Sequence, residues 1–149
     1  MHEYRAHRKV EFSDTDAGGI VHFSRFFVFM EWAEHEFLRS LGMSPGFFVD
    51  GAGRRASWPR VAASCEYRAP ARFGDDLDIV LRVLSKGRVT LTYAFEIHRD
   101  PPMANGDSLL AEGQITVAYC MVDAEGGLKA VAIPPEVAGL IDEAPMAPS

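Results

Sequence analysis

Two aspartates, Asp14 and Asp16, lie in the stretch Asp14-Thr15-Asp16-Ala17-Gly18-Gly19-Ile20-Val21-His22, just ahead of a segment with helical spacing. Glycines let a ligand come close to the backbone. A helix start offers free N–H groups and the positive end of a dipole, both suited to a developing oxyanion. A carboxylate beside such donors can act as general base or as nucleophile on an acyl carbon. The same residues also fit plainer roles. Asp-x-Asp with glycine suggests a calcium loop, although the closing Glu of an EF-hand loop is missing. Aspartates also form turns and caps through their side-chain oxygens. Spacing alone leaves these alternatives open.

The elements around the turn follow from periodicity. Residues 8–12 alternate polar and apolar and read as a short strand. Ser24 is a candidate helix cap, its hydroxyl taking an orphan backbone N–H. Behind it, Phe26, Met30, Ala33, Phe37 and Leu41 share one helical face, which Phe27, Phe29 and Leu38 widen. Glu31, Glu34, His35 and Arg39 occupy most of the rest, and Glu34 and Glu36 read as surface residues near Arg39. Gly42 stands where a left-handed terminator is wanted. Residues 43–59 are broken by Pro45, Gly46, Gly51, Gly53 and Pro59; Phe47, Phe48 and Trp58 are apolar enough to be buried there, and one short helical turn fits.

From Arg60 the period becomes two. Strands are expected at 61–68 and 76–84. The cleanest alternation follows, with Val89, Leu91, Tyr93, Phe95 and Ile97 on one face. A long strand over 109–122, bent near Gly113, and a short one at 128–133 complete the series. Pro134-Pro135 then opens a small helix, and the last residues read as frayed. One long helix before a run of antiparallel strands means an α+β fold, with the sheet covering the helix. Exposed sheet edges of this kind are commonly covered by a second copy, so a homo-oligomer is expected.

Composition narrows the function classes. The 149 residues fit one domain, and a net charge of −6 argues against nucleic acid as a partner. Cys65 and Cys120 have no metal-type or CxxC spacing and read as free thiols of a cytoplasmic protein. No run is long enough to cross a bilayer, and the N-terminus lacks the apolar core of a signal peptide.

The stretch 10–23, continuing into Phe27-Val28-Phe29-Met30-Glu31-Trp32-Ala33-Glu34 and Phe37-Leu38-Arg39-Ser40-Leu41-Gly42, resembles the 4-hydroxybenzoyl-CoA thioesterase family, which includes the thioesterases associated with the Tol-Pal system. Tyr67-Arg68-Ala69-Pro70-Ala71-Arg72-Phe73-Gly74-Asp75-Asp76-Leu77 resembles a second block of that family.

The resemblance implies a single hotdog domain over 1–149, a long helix wrapped by a curved antiparallel sheet. It implies hydrolysis of a small or medium acyl-CoA, aromatic or short-chain aliphatic, by a dimer or tetramer without metal or cofactor. Asp16 matches the catalytic carboxylate, as nucleophile or general base, with the carbonyl polarised by backbone N–H at a helix start. Asp14 is then structural. Gly19, Ile20 and His22 are candidate site-lining residues, although some relatives carry their histidine one position later, where Phe23 stands. Glu31 occupies a helix position where the family often has an acid. Ser57 and Trp58 fall in a region near the thioester, Ser57 offering a backbone N–H. Arg60, Arg68, Arg72, Lys86 and Arg88 are candidates for the CoA phosphates, which call for cationic partners. The run Phe23, Phe26, Phe27 and Phe29 fits core packing or an acyl pocket. Two other functions compete. A hotdog hydratase or dehydratase pairs Asp with His five positions apart, and here Asp16 and His22 are six apart. A non-catalytic acyl-CoA binder would have no need of a carboxylate at the acyl carbon.

Overall fold

The wide aromatic face of the long helix needs a broad apolar surface to lie on, and the strands supply one. The computed structural model describes residues 1–44, 48–49 and 53–145. The expectations for Pro45, Gly46, Phe47, Gly51, the Phe48 side chain and the last four residues fall outside that set.

In chain order the elements are β1 (Glu3–Lys9), a 3-10 turn (Phe12–Asp14), α1 (Arg25–Ser40), β2 (Phe48–Val49), β3 (Arg55–Ser57), β4 (Arg60–Tyr67), β5 (Asp76–Lys86), β6 (Thr90–Arg99), β7 (Leu109–Ala118), β8 (Cys120–Val122), β9 (Leu128–Ala130) and α2 (Pro135–Ala138). Five strands form an antiparallel sheet in the order β1-β5-β6-β7-β4, and the short strands form a second in the order β2-β3-β8-β9. This is the α+β hotdog arrangement, with α1 held against the sheet.

Phe26, Phe29, Met30, Ala33, Phe37 and Leu38 of α1 are buried against Leu77, Ile79, Leu81, Leu91, Tyr93, Phe95 and Ile97 of β5 and β6. Burial of such side chains contributes about 1.5–3 kcal/mol each, so this layer is the main source of stability. At the end of α1, Met43 N–H bonds to Leu38 O at 2.9 Å and Gly42 N–H to Arg39 O at 2.9 Å. Gly42 has φ 83°. These two bonds are those of a Schellman motif, which satisfies the last carbonyls of the helix.

Several boundaries differ from those expected. The first strand lies at Glu3–Lys9, earlier than residues 8–12, because it is fixed by pairing with β5 from Glu3↔Arg82 to Lys9↔Asp76. The long strand expected over 109–122 divides at Tyr119 into β7 and β8, which belong to different sheets. Residues 55–57, expected to be irregular, form β3, in which Ala56 and Ser57 pair with β8 and Arg55 with β2. Ser24 precedes α1 but has helical φ and ψ and makes no capping bond; its hydroxyl faces His22 Nδ1 at 2.8 Å.

Gly113 lies inside β7 rather than at its end. A Cβ there would stand 2.5 Å from Met30 Sδ and 2.8 Å from the Ser64 carbonyl oxygen. The Met30 side chain can turn away, but the Ser64 backbone is held in the β4–β7 ladder. Gly113→Ala is therefore expected to cost about 1–3 kcal/mol, the usual range for overpacking. Urea unfolding of the purified variant measures it, and an unchanged midpoint would contradict this packing.

The edge strand β4 is exposed along most of its length, with Val61 and Tyr67 among the exposed apolar side chains. Cys65 is half-buried in this strand and Cys120 is buried in β8; both are free thiols. Among the described residues no helix is long and apolar enough to cross a membrane.

Candidate active site

The turn that carries Asp16 is fixed at both ends by the two aspartates in different ways. Asp14 is fully buried. Its Oδ1 accepts from Arg25 Nε at 2.8 Å and lies 2.7 Å from the second Arg25 nitrogen, while Oδ2 accepts from Glu11 N–H at 2.9 Å. Its backbone oxygen accepts from His22 N–H at 2.8 Å. Asp14 thus ties the 3-10 turn to the start of α1, which uses up both carboxylate oxygens and leaves it no free role. Removing Arg25 would strand the charge of the buried Asp14.

Asp16 is exposed. Its Oδ1 accepts from Gly18 N–H at 2.8 Å and, more weakly, from Ile20 N–H at 3.4 Å. Oδ2 takes no donor among the described residues. The backbone closes around the side chain: Asp16 N–H bonds to Ile20 O at 2.8 Å and Gly19 N–H to Asp16 O at 3.0 Å. Gly19 is required for this, and Gly18 leaves room for the Asp16 carboxylate. Gly19 has φ 81°, and a Cβ on Gly18 would stand 3.2 Å from Asp16 Oδ1. The far side of the turn is anchored to the segment after β4 by the Ile20↔Arg72 bridge and by Val21 N–H to Ala71 O at 2.8 Å.

Asp16 opens onto a pocket of about 420 Å³. Ile20, Val21, Phe23 and Phe26 form its wall on the helix side, and Tyr67, Arg68, Ala69 and Pro70 form the other. The lining is mostly apolar and aromatic, with few polar groups, as small-ligand sites tend to be. Phe26 and Tyr67 meet edge to face, with ring centroids 5.3 Å apart. The Tyr67 hydroxyl donates to Phe23 O at 2.8 Å. Burial, and then the neighbouring Cys65, push the Tyr67 phenol above its ordinary pKa, so it stays a donor. Phe23, one residue before the cap of α1, has no acceptor for its own N–H among the described residues.

The other candidate residues fall in three places. His22 is half-buried beside Phe23, its ring 4.6 Å from the phenyl, and it does not line the pocket. Ser24 N–H approaches His22 Nδ1 at 3.3 Å. Glu31 is two turns into α1, paired with Arg60 at 3.3 Å. Ser57 ends β3, and Trp58 is buried against Tyr119, with ring centroids 5.0 Å apart. Neither lines this pocket.

Among the proposed phosphate ligands, Arg60 is held by Glu31 and Glu34, and Arg68 by Glu66 and Glu112. Lys86 donates to Ala138 O and Ile141 O. Arg72 is exposed, adjoins the Asp16 turn through Ile20, and has no carboxylate in ion-pair reach among the described residues.

Periodicity misassigned one residue outright. Glu34, read as a surface acid, is 2% exposed. Its Oε1 accepts from Arg60 at 2.6 Å, and its Oε2 has no donor among the described residues. Burial raises its pKa to about 7 against the opposing pull of Arg60, with Glu31 adding a smaller upward push. Burial also lowers the pKa of the neighbouring His35. The signal was there in part: position 34 lies one place from Ala33 and four from Met30, on the margin of the apolar stripe.

A family profile described as the thioesterase superfamily matches residues 18–105 of this chain. The chain belongs to the thioesterase superfamily. This thioesterase is 33% identical to a putative esterase of Aquifex aeolicus over 87% of its own length and 91% of that protein. A 1,4-dihydroxy-2-naphthoyl-CoA thioesterase from Synechocystis shares its fold with a TM-score of 0.75 and 25% identity, covering 93% of this chain and 94% of that one. A 4-hydroxybenzoyl-CoA thioesterase, at 19% identity, shares the fold with a TM-score of 0.78 over 94% of this chain and 99% of that one. The thioesterase is accordingly a thioester hydrolase of hotdog fold, with the acyl-CoA thioesterase activity of that family.

Proposed function

We propose that this thioesterase hydrolyses a small aromatic acyl-CoA to the free acid and CoA, with Asp16 as its catalytic carboxylate. The observation that carries the proposal is the pocket itself. An exposed carboxylate with one oxygen fixed by backbone N–H and the other free opens onto a space of about 420 Å³ walled by Phe23, Phe26 and Tyr67. Aromatic rings prefer edge-to-face and offset contacts, which such walls offer a flat acyl group. The likeness to the naphthoyl-CoA thioesterase supports the same choice.

In this scheme Oδ1 of Asp16 stays on Gly18 N–H, and Oδ2 either adds to the thioester carbon or takes a proton from a water that does so. The free N–H of Phe23, one residue before the cap of α1, receives the developing oxyanion, aided by the positive end of the helix. The C–S bond then breaks, and CoA leaves as a thiolate that is protonated by solvent. A water oxygen ends in the acid product, directly or after hydrolysis of the acyl-aspartyl anhydride. The scheme asks for no resident metal or cofactor. Arg72, next to the turn and without a carboxylate in ion-pair reach among the described residues, is the cation best placed for a CoA phosphate.

The scheme also includes a homo-oligomer, dimer or tetramer, built on the open edge of β4. Unpaired backbone groups and exposed Val61 on that strand favour pairing with a second copy. The two free thiols suit a reducing compartment such as the cytoplasm.

A panel of aromatic and aliphatic acyl-CoA esters, followed with a thiol reagent, tests the function. Release of CoA, fastest with benzoyl- and naphthoyl-type esters, is the expected outcome. Faster turnover of long aliphatic esters would overturn the aromatic assignment. An absorbance change with enoyl-CoA and no free thiol would indicate a hydratase. Saturable binding without turnover would indicate an acyl-CoA binder.

A further inference from the structure

The Asp16 turn is anchored to the segment after β4 at Ile20 and Val21, whereas the backbone of the helix start is held by local bonds. His22 N–H reaches Asp14 O at 2.8 Å and Arg25 N–H reaches His22 O at 2.9 Å. The second of these orients the His22–Phe23 peptide unit, which carries the free Phe23 N–H, but neither holds the Phe23 carbonyl on the far side of that residue. From the sheet, one side chain does. The Tyr67 hydroxyl, at the end of edge strand β4, donates to Phe23 O at 2.8 Å across 44 residues of sequence. The Tyr67 ring simultaneously packs on Phe26, one turn further into α1. Phe23 is itself largely exposed, so packing alone does little to fix its backbone.

We infer that Tyr67 is a positioning residue: its hydroxyl pins the carbonyl side of Phe23 while Arg25 N–H holds the His22 side, and together they fix the Phe23 backbone so that its N–H is aimed at the thioester oxygen. The inference rests on the proposed thioesterase scheme and adds a residue to it. Tyr67 donates to Phe23, touches neither the proton being moved nor the bond being broken, and lends the sheet's rigidity to a residue that sits in a turn. An oxyanion donor acts only when its hydrogen meets the oxygen at transition-state geometry, and misplacement of about 1 Å can cost on the order of 100-fold.

The test uses Tyr67→Phe, which keeps the ring and its contact with Phe26 and removes only the hydroxyl. The expected result is a fall in kcat of about 5- to 30-fold, below the cost of deleting a donor outright, with KM within twofold of the parent. A purely structural role would not give that split with an unchanged unfolding midpoint. The second readout is the carbonyl stretch of a carbonyl-13C-labelled benzoyl-CoA bound to Asp16→Asn, with and without Tyr67→Phe, read by difference Raman. The hydroxyl's loss is expected to move the stretch back toward its value in water, because the carbonyl is less polarised. Equal kcat, or a reduced kcat with an unshifted carbonyl stretch, would overturn the role of Tyr67. Failure of the parent enzyme to release CoA would instead overturn the scheme beneath it, so the two failures are distinguishable.

Discussion

Asp16→Asn is expected to lower kcat for acyl-CoA hydrolysis by about 100- to 10,000-fold, the usual worth of a positioned acid–base group, while changing KM by no more than a few fold. The amide is nearly isosteric with the carboxylate, and its oxygen can still accept from Gly18 N–H as Oδ1 does at 2.8 Å. The turn should therefore keep its shape, and the buried Asp14–Arg25 pair that ties it to α1 is untouched. What is lost is the negative charge and the free oxygen facing the pocket. The measurement is steady-state release of CoA with a thiol reagent, alongside an unfolding midpoint to confirm that the fold is intact. A rate within threefold of the parent would remove Asp16 from the mechanism. Single turnover in 18O-labelled water, with excess enzyme, identifies a nucleophilic route in which water opens the anhydride at the aspartyl carbon. After a nucleophilic attack the label enters Asp16 when the anhydride is opened at the aspartyl carbon, or the acid when it is opened at the acyl carbon. General-base catalysis places label in the acid alone, whatever the number of turnovers.

The second large effect concerns stability and comes from Glu34. Its folded pKa of about 7 lies above the ordinary 4.5 because burial outweighs the attraction of Arg60. A group whose folded pKa is raised binds its proton more tightly in the native state. Its contribution is thus fully present below about pH 4.5 and is lost as pH rises through about 7. The shift corresponds to about 3 kcal/mol over that window. Glu34→Gln stays neutral throughout and can still accept from Arg60 through its amide oxygen. The stability of the variant relative to the parent should therefore climb between pH 5 and pH 8 by an amount of that order. Urea unfolding at several pH values and one fixed protein concentration measures the difference, since any oligomer makes stability depend on concentration. A difference that stays flat across the window would mean that Glu34 is ionised at every pH tested.

The α1 stripe was legible because the 3.6-residue period records directly which side of a helix is dry. Phe26, Met30, Ala33 and Phe37 are buried as their spacing requires, and Gly42 ends the helix with the positive φ expected of it. The alternation of Leu91, Tyr93, Phe95 and Ile97 marked the inner face of β6 for the same reason, with period two. Asp14 and Asp16 could be told apart only through resemblance, yet the geometry gives each a separate set of partners: the Arg25 guanidinium for one and turn N–H groups for the other.

Local sequence therefore determined the α+β class, the helix and its limits, the main strands and the turn that presents Asp16. Each depends on interactions within a few residues or on a simple period. Tertiary structure alone decided what surrounds that turn. Glu34 is buried because Arg60, 26 residues later, reaches it from β4. Phe23 is pinned because Tyr67, 44 residues later, lies across the pocket. Ser57 is carried into the second sheet by pairing with β8, and Trp58 after it packs on Tyr119, so neither reaches the wall of the pocket. A period reports which side of an element faces inward. Which distant residue meets it there is set by sheet order and register, and those exist only once the chain has closed on itself.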